Sequence, residues 1–525
     1  MIDTGDATLD AIVAGLLREV TEVDTTEITY TFELTAALDG DPEYSRFNQA
    51  MIDRHMAVFS HLSELSGATF READLSDESA DYYFAFRENV STAYVVEYEG
   101  GRLHVHNPDR DDPELGSYVD HLVLHELGHG FGLEHGHDYN GLPPEFQGHS
   151  WSVMSYRAHP FTTELTYGDS HGPETYMPAD IAAIQYLYGA DFETEAGDTV
   201  YTVDFNTGEL FVDGEGQGVP VNEQTLRTIW DGAGEDTLDL SNAWSRLEID
   251  LRPGAFTSFG AGFLAIQGRG SSGDLLFAEG NLANPYLYQG NRSSLLENAI
   301  GGLMADKIIG NVIDNRLEGR GGNDSLFGMA GDDELLGGGG DDLVVDGLGD
   351  TDAQGNAGDD YLVALSGDGV LDGGAGNDIL IGGNSNDHLR GGNGNDVLRG
   401  DAGQGLLFGS DTLEGGAGDD TLMGGRGADQ FIFRPNDGAD MIGGFAASQL
   451  GDWDVAAVFV DRADFLSGVD QIVLAGFSDV TADNVMSFVS LDSTESHAVF
   501  SAEQTTVTFF GVGVDQLSQE DFVFL

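Results

Sequence analysis

From residue 301 to residue 432 the chain repeats itself every nine residues, and so short a repeat leaves few folds open. Gly373-Gly-Ala-Gly-Asn-Asp-Ile-Leu-Ile runs straight into Gly382-Gly-Asn-Ser-Asn-Asp-His-Leu-Arg and Gly391-Gly-Asn-Gly-Asn-Asp-Val-Leu-Arg. An acid or its substitute recurs at 306, 315, 324, 333 and on to 405, and after a break the phase resumes at 411, 420 and 429. Two residues past the acid stands an apolar side chain, as at Leu326, Leu335, Val344, Leu362, Leu380, Leu398 and Phe431. The pattern is G-G-x-G-x-D-x-U-x. One such unit cannot bury its apolar residue alone, so units stack into a parallel β-helix. A solubilising linker would lack the apolar beat, because it has no core to fill.

Two nonapeptides make one turn, so residues eighteen apart stack. One column then reads Asp306, Asp324, Asp342, Asp360, Asp378, Asp396 without a break. The other reads Asn315, Asp333, Thr351, Gly369, Asp387, Gly405 and is mostly interrupted. Carboxylates stacked at strand spacing repel one another unless a cation lies between them, and calcium, with 6–8 oxygen ligands, fits that gap. The sequence therefore predicts calcium at Asp306, Asp324, Asp333, Asp342, Asp360, Asp378, Asp387, Asp396, Asp420 and Asp429. It predicts a filled row on one side of the roll and a depleted row on the other, with Asp360 important and Thr351 of little consequence.

A second pattern lies outside the repeat. His125-Glu-Leu-Gly-His129-Gly-Phe-Gly132-Leu-Glu-His135 puts two histidines four apart on one helical face, with Glu126 beside them as a base. Gly132 lets the helix stop and the chain turn, so His135 arrives from another direction. Three neutral imidazoles leave one zinc position open, the arrangement of a catalytic rather than a structural site. With 14 histidines and 75 glycines in 525 residues, three His and one Gly at these offsets arise by chance about 0.001 times. Downstream, Ser152-Val-Met154-Ser-Tyr156 is placed to supply the methionine turn that accompanies the long zinc motif. His104 and His106 alternate on one strand face and read as strand histidines before they read as ligands. His121, His149, His159 and His171 have no ligand spacing, although His149 and His159 flank the methionine turn.

Around these motifs the first ~195 residues look like an α/β mixture. A helix is expected to start near Thr8, and the alternation from Thr26 to Leu34 predicts a strand. A helix is expected from Pro42 to about Leu65. Strands should follow at Tyr82–Phe86, Ala93–Glu97 and Leu103–His106, then helices at Val119–Phe131 and Pro178–Tyr188.

The zinc motif, the Ser152–Tyr156 turn, the stretch Asp180-Ile-Ala-Ala-Ile-Gln-Tyr-Leu-Tyr-Gly and the nonapeptides together resemble the serralysin-type metalloproteases, the secreted repeats-in-toxin branch of the metzincins. The resemblance implies a multidomain chain, an α+β metzincin-type zinc protease domain followed by an all-β parallel β-roll domain. It implies one catalytic zinc on His125, His129 and His135, with Glu126 as general base. Met154 would form the floor under the metal, and Tyr156 a further ligand that swings to stabilise the transition state. It implies several calcium ions in the roll, and protein or peptide substrates. The family usually has Pro-Gly after the third histidine; this chain has Gly136-His137, which makes His137 a spare imidazole near the site. The expected divisions are a catalytic domain over 1–195, a β-rich connection and start of the roll over 196–300, the nonapeptide roll over 301–432, and a C-terminal β cap with a secretion signal over 433–525.

Composition narrows the partners. Asp and Glu number 92 against 21 Lys and Arg, and a net charge of −71 is repelled by nucleic acid and by anionic membranes. Cysteine is absent, which removes disulfides, thiol catalysis and Cys-zinc sites together. No run reaches the ~18 apolar residues of a membrane span, so stable membrane insertion is not expected. No N-terminal export signal is visible, while the terminal Asp521-Phe-Val-Phe-Leu resembles the family's ending. These points predict a monomer secreted to the extracellular space by a type I secretion transporter, its acidic repeats folding only where calcium is plentiful. A calcium-dependent surface-binding protein with a degenerate catalytic domain is the rival reading. Loss of Glu126 or Tyr156 would have favoured it, and both are present. A repeat-bearing polysaccharide-modifying enzyme would need a carboxylate- and Tyr/His-lined helix, for which nothing outside the zinc motif speaks.

Overall fold

The computed structural model describes residues 6–17, 26–33, 41–74, 80–88, 90, 93–98, 101–109, 111–136, 141–157, 159–160, 171–269, 272, 274–401, 409–443, 470–491, 497–509, 512 and 514–525. They divide into two units. The first comprises Met1–Asn242 and Glu248–Leu296, the second Ala243–Leu247 and Glu297–Leu525. The stretch from 196 to 296, apart from the short excursion at 243–247, thus belongs with the first unit.

The first unit opens with α1 (Ala7–Leu16), capped by Asp6, whose carboxylate accepts from the amides of Thr8 and Leu9. Next come β1 (Glu27–Thr31) and the two-residue β2 (Tyr44–Ser45). A helix, α2, spans Gln49–Leu65. It starts seven residues later than its apolar spacing suggests, because the Asn48 side chain caps it by accepting from Met51 N–H, while Tyr44 and Ser45 pair with a later strand. Its buried face carries Met51, His55, Val58, Phe59, Leu62 and Leu65, at helical spacing.

The chain continues through β3 (Thr69–Glu72), β4 (Tyr82–Arg87), β5 (Tyr94–Tyr98) and β6 (Gly101–His106). The sheet order is β3-β1-β4-β6-β5, with β2 also on β4. The β1–β3, β1–β4 and β4–β6 pairs are parallel, and β5 runs antiparallel to β6. β3 has no expectation behind it in the sequence. Its only apolar residue is Phe70, and neighbouring strands rather than alternation define it.

Two more helices complete this part, α3 (Tyr118–Gly130) and α4 (Pro178–Tyr188). α3 is capped by Ser117, and Asp180 in the first turn of α4 accepts from Met177 N–H. Both agree with their sequence expectation to within a residue. Beyond them the first unit is β-rich, with Val200–Asp204 antiparallel to Glu209–Val212 and parallel to Thr237–Asp239.

In the second unit the nine-residue period becomes two parallel ladders. On one run Arg316–Gly321, Asp333–Gly339, Thr351–Ala357, Gly369–Ala375 and His388–Asn393, each in parallel register with the next. On the other run Lys307–Ile309, Ser325–Phe327, Leu343–Asp346, Tyr361–Ala364, Ile379–Gly383 and Val397–Asp401. Leu317 faces Leu335, and Leu326 faces Val344, each eighteen residues on. The apolar beat is the core: Leu326, Leu335, Val344, Leu362, Leu371, Leu380, Leu389 and Leu398 are fully buried. This is the β-roll that the repeat predicts. After 401 the period slips. Leu389 pairs with Leu413, and Leu398 with Leu422, twenty-four residues on. Gly405 lies outside the described residues, and Asp411 takes the rung assigned to it above, accepting the Asp387 amide. Both ladders also outlast the repeat, through Gln471–Leu474 and Phe522–Phe524 on one and Ala439–Ile442 and Thr505–Phe509 on the other. Among the described residues no helix is long and apolar enough to cross a membrane.

Candidate metal centre and cation ladder

α3 brings His125 and His129 onto one side, and the turn at Gly132 (φ +97°) returns His135 to them. Potential ligand nitrogens of the three lie within 4.8 Å of one another. His129 Nε2 and His135 Nε2 are 3.0 Å apart. Two nitrogens on a tetrahedral zinc with ~2.05 Å bonds would stand about 3.3 Å apart, so the donor set fits that metal.

The remaining ring nitrogens fix the rotamers. His125 Nδ1 donates to the carbonyl of Val153 at 2.8 Å, and His129 Nδ1 donates to that of Leu133 at 2.9 Å. Each bond leaves Nε2 as the nitrogen that could bind a metal. Burial, and then His129, hold His125 well below the usual imidazole range, so it stays neutral.

The methionine turn lies directly beneath. Met154 is fully buried, and a Cβ on Gly128 would fall 2.5 Å from its Sδ, which is why α3 carries glycine there. The Tyr156 ring centroid is 4.2 Å from that of His135 and 5.5 Å from that of His125. Glu126, on α3 beside the first histidine, is 7% exposed, and burial alone raises its carboxyl to about 7.

One residue of this assembly is marked in the sequence only as the start of the stretch Asp180-Ile-Ala-Ala-Ile-Gln-Tyr-Leu-Tyr-Gly. Asp180 is buried and accepts from Ser152 Oγ at 2.6 Å, Val153 N–H at 2.8 Å and Met177 N–H at 3.1 Å. It thus holds the Val153 carbonyl that orients His125. Asp180→Ala is expected to cost about 2–4 kcal/mol, since buried donors lose their acceptor. It should also weaken metal binding roughly 10–100-fold through the displaced Val153. Thermal melting and a zinc competition titration check both.

The other histidines fall elsewhere. His104 and His106 are buried on β6 among Phe84, Phe47 and His55. His121 and His149 are buried against each other, ring centroids 4.3 Å apart. His171 bonds to Asn222, and His159 is half-buried. His137 lies outside the described residues.

In the roll the stacked aspartates share one arrangement. Oδ1 accepts the amide of the residue one turn earlier, as from Asp324 N–H to Asp342 and from Asp342 N–H to Asp360, both at 2.8 Å. Oδ2 is left buried without a hydrogen-bond partner in Asp324, Asp333, Asp342, Asp360, Asp378, Asp387, Asp396 and Asp420. An oxygen so placed is costly unless a cation meets it. Burial is the main cause that raises these carboxyls, to about 7 for Asp342 and Asp378 and about 6 for Asp360. Asp306 differs. Its two oxygens accept from Leu247 and Gly302 amides, so it closes the end of the column. Asp411 and Asp440 join the ladder with the same unpartnered Oδ2, and Asp470 accepts the Asp429 amide. Asp440 and Asp470 stand outside the glycine-rich repeat, and their only signal is an apolar residue two positions on.

The three imidazoles, two on α3 and one from the turn beyond it, lie in the same chain as a parallel roll with a row of buried, unpartnered carboxylate oxygens. Residues 301–344, 346–380, 372–407 and 408–432 match the family model of the RTX calcium-binding nonapeptide repeat, and residues 190–267 that of the Peptidase M10 serralysin C terminal. Serralysin G of Dickeya chrysanthemi is 29% identical over 259 residues, which cover 44% of this chain and 53% of that protein. Metallopeptidase AprA of Pseudomonas marginalis is 30% identical over 264 residues (45% and 54%), and a serralysin of Proteus mirabilis 35% identical over 168 (30% and 32%). The chain is thus similar to serralysin-type metalloproteases with a calcium-binding roll. It spans about half the length of Serralysin G and of the Pseudomonas marginalis protein.

Proposed function

We propose that this protein is a secreted zinc endopeptidase of the serralysin type, with an α+β metzincin-type catalytic domain stabilised in the same chain by calcium in the β-roll. The observation that carries the reading is the convergence of His125, His129 and His135 nitrogens within 4.8 Å beside the buried Glu126. Zinc held by the three imidazoles would supply a Lewis acid that polarises a peptide carbonyl and lowers the pKa of water.

The chain's own residues do the rest. Glu126, poised near neutrality, takes a proton from the attacking water and delivers it to the departing amine. The Tyr156 hydroxyl, on a ring packed against His135, donates to the oxyanion as charge grows there. The backbone of the methionine turn keeps His125 in place. No nucleophilic serine or cysteine takes part, so no acyl-enzyme forms. Substrates are proteins and peptides outside the cell. Export of an unfolded, calcium-free monomer through a type I transporter accords with the acidic roll.

The test is casein hydrolysis by the purified chain in millimolar calcium, before and after phenanthroline. Activity abolished by the chelator and restored by zinc is the expected result. A folded, zinc-loaded chain without hydrolysis would favour a calcium-dependent binding protein.

A further inference from the structure

The nonapeptide explains most of the roll, but one unit departs from it at two positions together. Wherever a turn carries aspartate at the sixth position, the first position needs room. A Cβ on Gly319, Gly337, Gly355 or Gly373 would fall 2.3–2.5 Å from the Oδ2 of Asp324, Asp342, Asp360 or Asp378 respectively. Glycine at the first position is therefore tied to the carboxylate at the sixth. In the unit starting at 346 both are changed: the first position is Asp346 and the sixth is Thr351.

Asp346 occupies the space that the missing carboxylate vacates. It is 1% exposed; its Oδ2 accepts from the Thr351 hydroxyl at 2.7 Å and its Oδ1 from the Gly347 amide at 2.7 Å. That Oδ1 also faces the previous turn. A Cβ placed on Gly328 would lie 2.5 Å from Asp333 Oδ2 and equally 2.5 Å from Asp346 Oδ1, so the two oxygens line one small space. Around a Cβ on Gly319, the same position one nonapeptide earlier on the other ladder, the nearest atoms are instead Asp324 Oδ2 and the backbone carbonyl of Gly337. Asp333 is 2% exposed, and its Oδ2 has no hydrogen-bond partner. Burial and the neighbouring Asp346 both raise the Asp333 carboxyl. Two buried carboxylates bordering one small space call for a hard cation with oxygen ligands.

We propose that Asp346 is a relocated calcium ligand, which with Asp333 holds an ion in the rung where Thr351 breaks the column. The row read from the motif as depleted is thus filled at this rung. The next interrupted unit, with Ala364 first and Gly369 sixth, brings no carboxylate and stays without one. The proposal rests on the reading that the roll binds calcium.

Calcium bound per full-length chain, counted by equilibrium dialysis and followed by calorimetric titration, tests it. Asp346→Asn should bind one calcium fewer than the wild type and melt at a lower temperature in calcium, with its zinc content unchanged. Asp346→Gly combined with Thr351→Asp, which gives this unit the arrangement of its neighbours, should restore the full count. An Asp346→Asn chain with the wild-type count overturns the proposal, and so does a double variant that stays one ion short. If Asp346→Asn fails to fold, the double variant decides alone. A wild type that binds no calcium, unaltered by Asp360→Asn, overturns the proposal together with the calcium reading beneath it.

Discussion

Replacing Glu126 by glutamine is expected to lower peptide hydrolysis roughly 10²–10⁴-fold while zinc stays bound, because the amide keeps the shape of the side chain and loses its basicity. Glu126 is almost wholly buried on α3, and its carboxyl is raised to about 7 by burial. A group at that value accepts a proton from water and surrenders it to an amine at neutral pH with little penalty either way. The imidazoles of His125 and His129 are held at Nδ1 by the Val153 and Leu133 carbonyls rather than by Glu126. Values of kcat/KM on a peptide substrate, with zinc content measured on the same samples, check the prediction. Hydrolysis near the wild-type rate in Glu126→Gln would assign the base elsewhere.

The second large effect concerns the roll without calcium. Asp324, Asp342, Asp378 and Asp396 are raised to about 7–8, Asp360 to about 6, chiefly by burial, against an ordinary value of 3.8. A carboxyl raised on folding binds its proton more tightly in the folded state, so stability is full below the unfolded value and is lost as pH rises through the folded one. The calcium-free roll should therefore hold its strands near pH 5 and lose them by pH 8, and calcium should restore them at pH 8. Far-UV circular dichroism against pH, with and without chelator, measures this. In the first unit the sign is opposite. His55 is lowered to about 4, and His104 and His106 are held well below the usual imidazole range, all chiefly by burial. A histidine buried neutral costs stability as pH falls below the unfolded value near 6.5, so that unit should weaken in acid. A calcium-free roll unaffected between pH 5 and pH 8 would contradict the account of unpartnered Oδ2 atoms.

Much of this was legible in the residues because periodicity encodes it. The nine-residue beat specified two ladders, each with rungs eighteen residues apart, and Leu326, Leu362 and Leu398 lie in the core as their spacing requires. The histidine spacing likewise specified which imidazoles converge, since i and i+4 share a helix face and Gly132 permits the return. Long-range features were not legible. The Asp180 carboxylate reaches Val153 across twenty-seven residues, and no local pattern announces that bond. The slip from eighteen to twenty-four after 401 depends on pairing between turns, and a strict count carried the column to Gly405 instead of Asp411. Asp346 escaped for a related reason, as a motif read position by position scores it as a lost glycine. The early start expected for α2 ignored the Asn48 cap and the pairing of Tyr44 with Arg87.

The claim beneath the whole account is that His125, His129 and His135 hold one zinc that the chain uses. Metal content of the calcium-loaded protein, measured by atomic emission for the wild type and for His135→Ala, tests it most directly. One zinc per chain in the wild type, and little in His135→Ala with circular dichroism unchanged, is the predicted result. A wild type that takes up no zinc, or a His135→Ala chain that keeps a full equivalent, would contradict it.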